Sequence, residues 1–325
     1  MGSLTFLGSR SFINRHRTHS LKSAPGDIEL RRIRPKTPIC ASQASLPFLS
    51  KLTDGALVPS VKLLERQQKP YALMRANQNE ILSTLAEQLS LRPQATRISE
   101  DGLSVYNTPD ESLSIALQVG TGEGVEWLVA STTALVKFGG GTIRINVFPD
   151  QTLSVPKLDI ELFFFFGRIN MYINFVARTD LVLDEEYLSR YYKTKGSAGH
   201  SFHDLQLECM QDAEMSPFES RSIDMRVLTG QTSLFQGAHA SIENVEKMTS
   251  YAKRAVSLWL EFAKAEDTAV TEPSQAEKLR FYDRSLYGFA WRDPDNEKVA
   301  ALIGEDALQE MLQLSTRDDS ILQTM

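Results

Sequence analysis

Two stretches of the chain repeat apolar residues at intervals of three and four, which is the spacing of an amphipathic helix. They cover residues 71–91 and 241–266. Their apolar positions are Leu73, Ile81, Leu82, Leu85 and Leu89 in the first stretch, and Val245, Met248, Ala252, Ala255, Val256, Trp259 and Phe262 in the second. Arg92-Pro93 ends the first helix, because the residue before a proline is driven out of helical backbone angles.

Between these helices, apolar residues alternate with polar ones or form short runs, as is typical of strands. The predicted strands are residues 113–119, 125–132, 133–138, 142–148, 158–166 and 171–175. The segments between them that predict turns are the glycine clusters 120–124 and 139–141, then 149–150 and 167–170. Since parallel strands need long crossovers, such short turns predict an antiparallel meander.

Three further segments follow this sheet. Asp184 and the two acids after it predict a helix start within residues 184–192. Residues 217–235 hold one or two more strands, Pro273 marks a break, and a last helix spans about residues 297–313. Helices before and after an antiparallel sheet predict an α/β fold, a three-layer α/β/α sandwich with a central, mainly antiparallel sheet.

The charge divides the chain into a basic head and an acidic body. Residues 1–45 carry a net charge of +6, and the rest of the 325 residues carries −12. A body this acidic argues against a nucleic-acid partner, because nucleic acids are bound by a basic face. The chain is 42% apolar but has no uncharged apolar run long enough for a bilayer. We therefore expect a globular protein without a transmembrane segment.

The basic head has the composition of an organelle transit peptide, rich in Arg and Ser and poor in acids. Ile39-Cys40-Ala41-Ser42 resembles a plastid processing site, so we expect cleavage near Cys40 and a location in the chloroplast stroma. A disordered basic head without a targeting role is the alternative. The rest of the chain is predicted to be a linker over residues 46–70, a single domain over 71–315 and a tail over 316–325.

Common catalytic and metal-binding motifs are mostly absent. The glycines of residues 120–124 match neither a dinucleotide-binding nor a P-loop motif, and hairpin turns explain them. His200, His203 and Cys209 have a spacing that suggests a metal, but they lie in a polar segment without a second cysteine pair. We therefore predict no metal site. After cleavage near Cys40, an internal disulfide is not possible, which fits a reducing compartment.

Residues 175–192 read FVARTDLVLDEEYLSRYY. The apolar strand, the Arg-x-Asp-Leu-Val-Leu run, the acidic-Tyr-Leu helix start and the paired tyrosines resemble red chlorophyll catabolite reductase, a plastid enzyme family of chlorophyll breakdown. Further similar segments are Glu126-Trp127, Asn146, the Pro-x-x-x-x-Glu-Leu of residues 156–162, the Arg-x-x-Asp-Arg-Ser of 280–285, and Ile303-Gly304-Glu305. The resemblance covers about residues 70–312, and it is loose at 195–240 and 286–300.

The resemblance implies a fold, an activity and partners. The family is a relative of the ferredoxin-dependent bilin reductases, which share an α/β/α sandwich. It implies an oxidoreductase acting on CH–CH groups that takes single electrons from reduced ferredoxin and binds no cofactor of its own. The substrate would be the linear tetrapyrrole red chlorophyll catabolite, the product the primary fluorescent catabolite, and a homodimer is possible. The alternatives are a biliverdin-type bilin reductase and a non-catalytic tetrapyrrole-binding protein of the same fold.

In the family, two acidic groups supply the protons, and the first falls on Glu161. The residues around it are apolar, and an apolar pocket raises the pKa of a glutamate because it favours the neutral form. Asp159 lies two residues away on the same strand face and is expected beside the substrate. Alternatively, both acids lie on an exposed face, and the residues buried behind them are Leu158, Ile160 and Leu162.

The second acid is implied where residues 291–295 read WRDPD. Here the chain departs from the family's Ile-Glu-x-Asp-Leu arrangement, and ungapped spacing places Pro294 at the position of the acid. A shift of one residue assigns the catalytic role to Asp293 first and to Asp295 second, so Asp295 is kept as a substrate-binding candidate. The alternative is that Asp293 and Pro294 simply begin a helix.

Other side chains are candidates for contacts with the pigment. Those able to stack on pyrrole rings are Phe163, Phe165 and Trp291, with core packing as the alternative. Those able to pair with a propionate through a forked guanidinium are Arg168, Arg178 and Arg226, with simple solvation as the alternative. Because ferredoxins are acidic, we expect docking on a Lys/Arg patch at the rim of the sheet.

Overall fold

A computed structural model describes residues 65–135, 139–220, 223, 226–227, 230, 232–293 and 296–317. The predictions for the basic head, for cleavage near Cys40, and for Pro294 and Asp295 concern residues outside these ranges. Within the ranges, no helix combines the length and the apolar character needed to cross a membrane.

In the described residues, nine strands form a sheet in which all paired strands are antiparallel. They are β1 (Arg92–Pro93), β2 (Leu103–Asn107), β3 (Leu113–Gly122), β4 (Val125–Leu135), β5 (Gly140–Pro149), β6 (Lys157–Phe165), β7 (Arg168–Val176), β8 (Ser216–Pro217) and β9 (Leu234–His239). The order is β1-β3-β4-β5-β6-β7-β9-β8, and β2 also pairs with β3. The run from β3 to β7 is the predicted antiparallel meander, except that the two strands predicted at 125–132 and 133–138 were wrong, since the single strand β4 runs through both up to Leu135.

Helices precede and follow this meander. They are α1 (Glu65–Gln88), α2 (Glu185–Leu188) with a π-helical turn at Ser189–Lys193, α3 (Phe202–Gln211), α4 (Ile242–Lys264), α5 (Pro273–Trp291), α6 (Asn296–Ile303) and α7 (Glu305–Thr316). Helices α1 and α4 confirm the two amphipathic patterns. Asp184 begins α2 as predicted, because its side chain accepts a hydrogen bond from the backbone N–H of Tyr187 at 3.0 Å.

The C-terminal helices differ from the prediction at two residues. Pro273 is the first residue of α5 rather than a break, which is a favourable place because the first turn needs no N–H from it. The single helix expected at 297–313 is two helices, α6 and α7. Gly304 separates them because its φ of +88° lies in a region that a helix cannot use.

Two predicted turns also lie elsewhere. The β6–β7 hairpin turns at Phe166 and Gly167, whose φ values of +52° and +76° suit a two-residue type I′ turn. The predicted turn at 167–170 was wrong, since Arg168 already belongs to β7. Gly140 is the first residue of β5 instead of part of a turn. This strand position requires glycine, because a Cβ there would lie 1.7 Å from the carbonyl oxygen of Phe164 on β6.

The sheet lies between two helical layers, which confirms the three-layer sandwich. We call the side covered by α1, α3 and α4 the first face, and the side covered by α6, α7 and the end of α5 the second face. Strand β6 contributes to both cores because its side chains alternate. Leu158, Ile160 and Leu162 join the first-face core, and Phe163 and Phe165 join the second-face core.

Candidate functional site

Glu161 and Asp159 lie at the centre of the sheet and point to the second face. By alternation along β6 they share the side of Phe163, and their exposed fractions are 4% and 0%. The alternative in which both acids face solvent was wrong. The helices that pack on this face come more than a hundred residues later in the chain, so a local pattern could not predict them.

Glu161 has a basic and a phenolic neighbour across the strands. Arg144 of β5 is its partner in the ladder, and a guanidinium Nη2 lies 3.1 Å from Oε1 of Glu161. Tyr172 of β7 is its partner on the other side. The register thus places a cation and a phenol beside the carboxyl group.

Asp159 has a different set of partners. The Nζ of Lys157 lies 2.6 Å from Oδ1 of Asp159, and the amide of Asn146 donates to the same oxygen at 2.9 Å. Lys157 itself is buried and sits 4.4 Å from the centre of the Phe148 ring. The two acids therefore belong to separate pairs, one with Lys157 and one with Arg144.

These surroundings move the two carboxyl pKa values in opposite directions. Burial raises the pKa of Glu161, Arg144 opposes the rise, and the charge of Asp159 adds to it, so the net change is upward. Burial also acts on Asp159, but positively charged neighbours, first among them the ammonium of Lys157, outweigh burial and lower its pKa. Glu161 is thus the acid that favours the protonated form, and Asp159 is the one that stays ionised.

Burial likewise raises the pKa of Tyr172 well above its ordinary value, so its phenol is neutral at physiological pH. Its oxygen accepts a hydrogen bond from the amide of Asn174 at 3.1 Å. We call the following seven side chains of the second face the polar row. They are Arg144, Asn146, Lys157, Asp159, Glu161, Tyr172 and Asn174.

Sequence reasoning missed several members of the polar row. Arg144 and Asn146 alternate with isoleucine and valine on β5, as Tyr172 and Asn174 alternate with methionine and isoleucine on β7. This alternation was a usable signal, because antiparallel neighbours with the same period place their polar positions on one face. Lys157 gave no such signal, since it opens its strand after Pro156.

The two predicted stacking residues of β6 lie next to the polar row. Phe163 packs at 5.7 Å and 81° against Phe218, and at 6.3 Å against Phe235. Phe235 in turn packs at 5.4 Å against Tyr172. Phe165 is 8% exposed in the same core. An aromatic cluster therefore borders Glu161, and a role of these rings in binding a pigment stays a prediction.

Asp293 lies in the helical layer that covers the second face. It follows α5, is 5% exposed, and its backbone carbonyl accepts from the N–H of Asn296 at 3.0 Å. Asp293 therefore stands at the start of α6, on the same side of the sheet as Glu161. Trp291, two residues earlier, is 42% exposed at the end of α5.

The three arginine candidates differ in what they contact. Arg178 is fully buried and binds Asp283 with two nitrogens, at 2.9 and 2.7 Å, while its third nitrogen donates to the carbonyl of Leu153 at 2.7 Å. Because Arg178 is fully buried and all three of its nitrogens are bound within the protein, it is not placed to pair with a propionate. Arg168 is exposed and donates to the hydroxyl of Ser216 at 3.1 Å, and Arg226 is exposed as well.

The Arg178–Asp283 pair also accounts for two of the motifs that carry the family resemblance. It joins the Arg-x-Asp-Leu-Val-Leu run to the Arg-x-x-Asp-Arg-Ser segment. The paired tyrosines of the first motif are structural too, since Tyr192 donates to the carbonyl of Phe175 and the hydroxyl of Tyr191 lies 2.7 Å from that of Ser154. These residues position strands and helices and do not touch the polar row.

The suggested metal ligands do not form a site. Across the ranges that the structure describes, no group of three or more His, Cys, Asp or Glu is placed to hold a metal ion. Cys209 is buried, and burial raises the pKa of its thiol to about 12. It is therefore a packed apolar residue.

Glu161 is covered in this conformation. A crevice of about 220 Å³ lies under α1, but its lining residues Ile143, Ile160 and Leu162 belong to the first face. It does not adjoin the carboxyl group of Glu161.

Comparison with known proteins gives a likeness in fold. No protein family model matches the sequence, and no curated protein matches it significantly. Among solved structures, the chain is similar to phytochromobilin synthase from tomato, crystallised in complex with biliverdin. The TM-score is 0.59 at 15% sequence identity, over 74% of this chain and 81% of that chain. At this identity the likeness shows a shared fold.

Proposed function

We propose that this protein is a ferredoxin-dependent reductase of a linear tetrapyrrole, and that its substrate is red chlorophyll catabolite. The observation that carries the proposal is Glu161, a buried carboxylic acid whose pKa is raised at the centre of the sheet. The fold it shares with a protein crystallised with biliverdin supports the class of substrate. The motifs of residues 156–192 support the particular pigment.

Reduction of one double bond of the pigment consumes two electrons and two protons. Each electron comes singly from reduced ferredoxin, and the first turns the pigment into a radical anion. Glu161, held neutral by burial, then gives its proton to a carbon of the pigment. The carboxylate that remains is stabilised by Arg144 at 3.1 Å, until a proton from solvent restores it.

Asp159 has an electrostatic role in this proposal. Because Lys157 keeps it ionised, it is a poor proton donor near neutral pH. Its negative charge instead raises the pKa of Glu161 and favours the protonated form needed for donation. Asp293, on the same side of the sheet, is proposed to supply the second proton. No flavin, haem or metal of the protein's own takes part.

The test is an anaerobic assay with purified protein and reduced ferredoxin. Two pigments, red chlorophyll catabolite and biliverdin, are offered in parallel, and the product is followed by fluorescence and absorbance. We expect turnover of the first pigment. Turnover of biliverdin alone would support the bilin reductase alternative, which the similarity to the tomato enzyme favours. Tight binding of either pigment without turnover would make the protein a tetrapyrrole carrier, which the Pro294 mismatch favours.

We also propose that the protein acts in the chloroplast stroma, as the composition of residues 1–45 suggests. Fusion of these residues to a fluorescent protein should direct it into isolated chloroplasts. A fusion that stays outside the organelle would contradict the targeting role and leave the catalytic proposal unaffected.

A further inference from the structure

The outward side of α5 differs in charge from the rest of this acidic protein. Over the helix Pro273–Trp291, Leu279, Asp283 and Ala290 point inward and are buried. At about 100° per residue, the opposite side carries the residues that we call the α5 outer face. They are Lys278, Phe281, Arg284, Trp291 and Arg292, all exposed.

Two cations of this face, Lys278 and Arg284, differ from many others of the protein in their partners. Several Arg and Lys side chains are held by carboxylates, as in Lys253–Glu80, Arg254–Glu208 and Lys247–Asp212. By contrast, no carboxylate oxygen of the described residues lies within 4.0 Å of Lys278 or Arg284. Glu277 is the nearest acid along the same side of the helix, and Asp283 is turned inward to Arg178. The face therefore presents positive charge to solvent.

The face also exposes two large aromatic side chains. Phe281 is 68% exposed and Trp291 is 42% exposed. Aromatic residues and arginine are the groups that contribute most at protein interfaces. The two rings are ten residues apart, or about 15 Å along the helix, which suits separate anchors in a protein interface better than a continuous apolar face lying in a membrane.

The position of the face relates it to the candidate site. The inward side of α5 ends in the second-face core through Ala290, and the chain continues directly to Asp293. One helix diameter, about 10 Å, thus separates the outer face from that core. An electron donor bound on α5 would stand over the helices of the second face, on the side of the sheet to which Glu161 points.

We propose that the α5 outer face is the docking surface for the electron donor, a small acidic protein of the ferredoxin type. The inference rests on the proposed function and goes beyond it by naming the surface to which the electron donor binds. The sequence predicted a docking patch at the rim of the sheet, and this surface lies on a helix instead. Electrostatic attraction would steer the acidic partner to this face, and the small area suits the brief, weak encounters of electron-transfer proteins.

The test reverses two charges on the face. K278E/R284E is compared with wild type and with K193E/K195E, which makes the same charge change in an exposed segment on the side of α4. Three quantities are measured: the Kd for plant-type [2Fe–2S] ferredoxin, the KM for reduced ferredoxin, and turnover with a small one-electron reductant. We expect K278E/R284E to raise Kd and KM roughly tenfold and to lose most of their salt dependence.

The small reductant should drive K278E/R284E and wild type equally, because neither residue belongs to the candidate site. F281A, which changes no charge, should raise the Kd about threefold or more through loss of an anchor. An unchanged Kd in K278E/R284E, or an equal rise in K193E/K195E, would overturn the inference. Binding to vesicles of phosphatidylcholine and phosphatidylglycerol that depends on Lys278 and Arg284, with ferredoxin affinity unchanged, would overturn it in favour of a membrane.

This design separates the two proposals. If wild type binds ferredoxin but reduces neither pigment, the proposed function fails, and the Kd values still decide the role of the face. If wild type reduces a pigment and the face variants behave like wild type, the docking inference fails alone. If wild type does not bind ferredoxin at all, the docking inference fails whatever the pigment assay gives.

Discussion

The two faces of strand β6 bury side chains of different chemistry. On the first face, Leu158, Ile160 and Leu162 pack against α1 and α4 with exposed fractions of 0–1%. Each such side chain contributes about 1.5–3 kcal/mol to folding when it leaves water. On the second face, Lys157, Asp159 and Glu161 are equally buried. Placing these ionisable groups in the interior costs free energy that their partners only partly recover.

This difference between the two faces indicates which of them carries the function. An apolar row of similar volume would stabilise the second face at least as well as the polar row does, because buried ion pairs are often weaker than good apolar packing. Stability therefore explains the first face and leaves the second unexplained. Proton donation by Glu161, supported by its charged neighbours, is the explanation that we propose.

The strongest test of this contrast is Glu161→Gln. Glutamine keeps the volume of the side chain and an oxygen that can accept from Arg144, so the protein should fold normally. It has no acidic proton, and turnover of the pigment should fall by about 10²–10⁴, the usual contribution of a general acid. The measurement is kcat with reduced ferredoxin, together with the unfolding midpoint in urea.

The control is Glu126→Gln on β4. Glu126 is half-buried and paired with Arg317, and burial raises its pKa, but it lies outside the polar row. This variant should keep its turnover. Full activity in Glu161→Gln, or an equal loss in Glu126→Gln, would remove Glu161 from the mechanism.

The complementary change is Leu162→Ala, one residue along the same strand but on the first face. It leaves a cavity in the core, and the free energy of unfolding should drop by about 2–5 kcal/mol. Activity per folded molecule should stay within about twofold of wild type. Denaturant unfolding and an active-site titration separate the two effects, and a large loss of activity in the folded fraction would contradict the division between the faces.

The fold was largely readable from the sequence because it rests on local patterns. Period-two alternation and short turns predicted the meander, and the spacing of three and four predicted α1 and α4. Errors arose where one residue decides the backbone. Gly304 divides a helix through its positive φ. Gly140 is the first residue of a strand, and it is glycine because β6 passes too close to leave room for a side chain. Hydrophobic patterns do not contain that information.

The candidate site was less predictable, for two physical reasons. Alternation separates Glu161 from Ile160, but it does not say which row faces solvent, and the helices that pack on this face come from residues 296–317, far along the chain. Register also decides its partners. The predicted turn at 167–170 pairs Phe166 with Met171 and so places Val176 opposite Glu161. The actual two-residue turn places Tyr172 there.

A smaller effect is expected at the second acid. Asp293→Asn tests whether this residue is a proton donor or only begins α6. Asparagine starts helices as well as aspartate does, so stability should be unchanged in either case. If Asp293 donates a proton, turnover should fall by about a hundredfold, the lower end of general acid catalysis. Pigment affinity, measured by absorbance titration, should stay near that of wild type.

Asp293→Ala is the matched comparison, because alanine removes both the acid and the capping oxygen. It should lose the same activity and, if the side chain caps α6, about 1 kcal/mol of stability in addition. Normal turnover in Asp293→Asn together with a stability loss in Asp293→Ala would assign the residue to the helix start alone. The second proton would then need another source.

The smallest effect is the pH dependence that Glu161 gives to stability. The folded pKa of Glu161 is raised by burial above its ordinary value of 4.5. Below pH 4.5 the carboxyl is protonated in both the folded and the unfolded chain, and its stabilising contribution is complete. As the pH rises toward the folded pKa, only the unfolded chain loses the proton, so stability falls by at most about 1.4 kcal/mol per pH unit.

The glutamine variant lacks this titration. The difference in unfolding free energy between wild type and Glu161→Gln should therefore turn against wild type as pH increases. Turnover should fall at higher pH, through the folded pKa, where the folded protein loses the donor proton. A difference that does not change with pH would mean that Glu161 has an ordinary pKa, and the contrast between the two faces of β6 would lose its chemical basis.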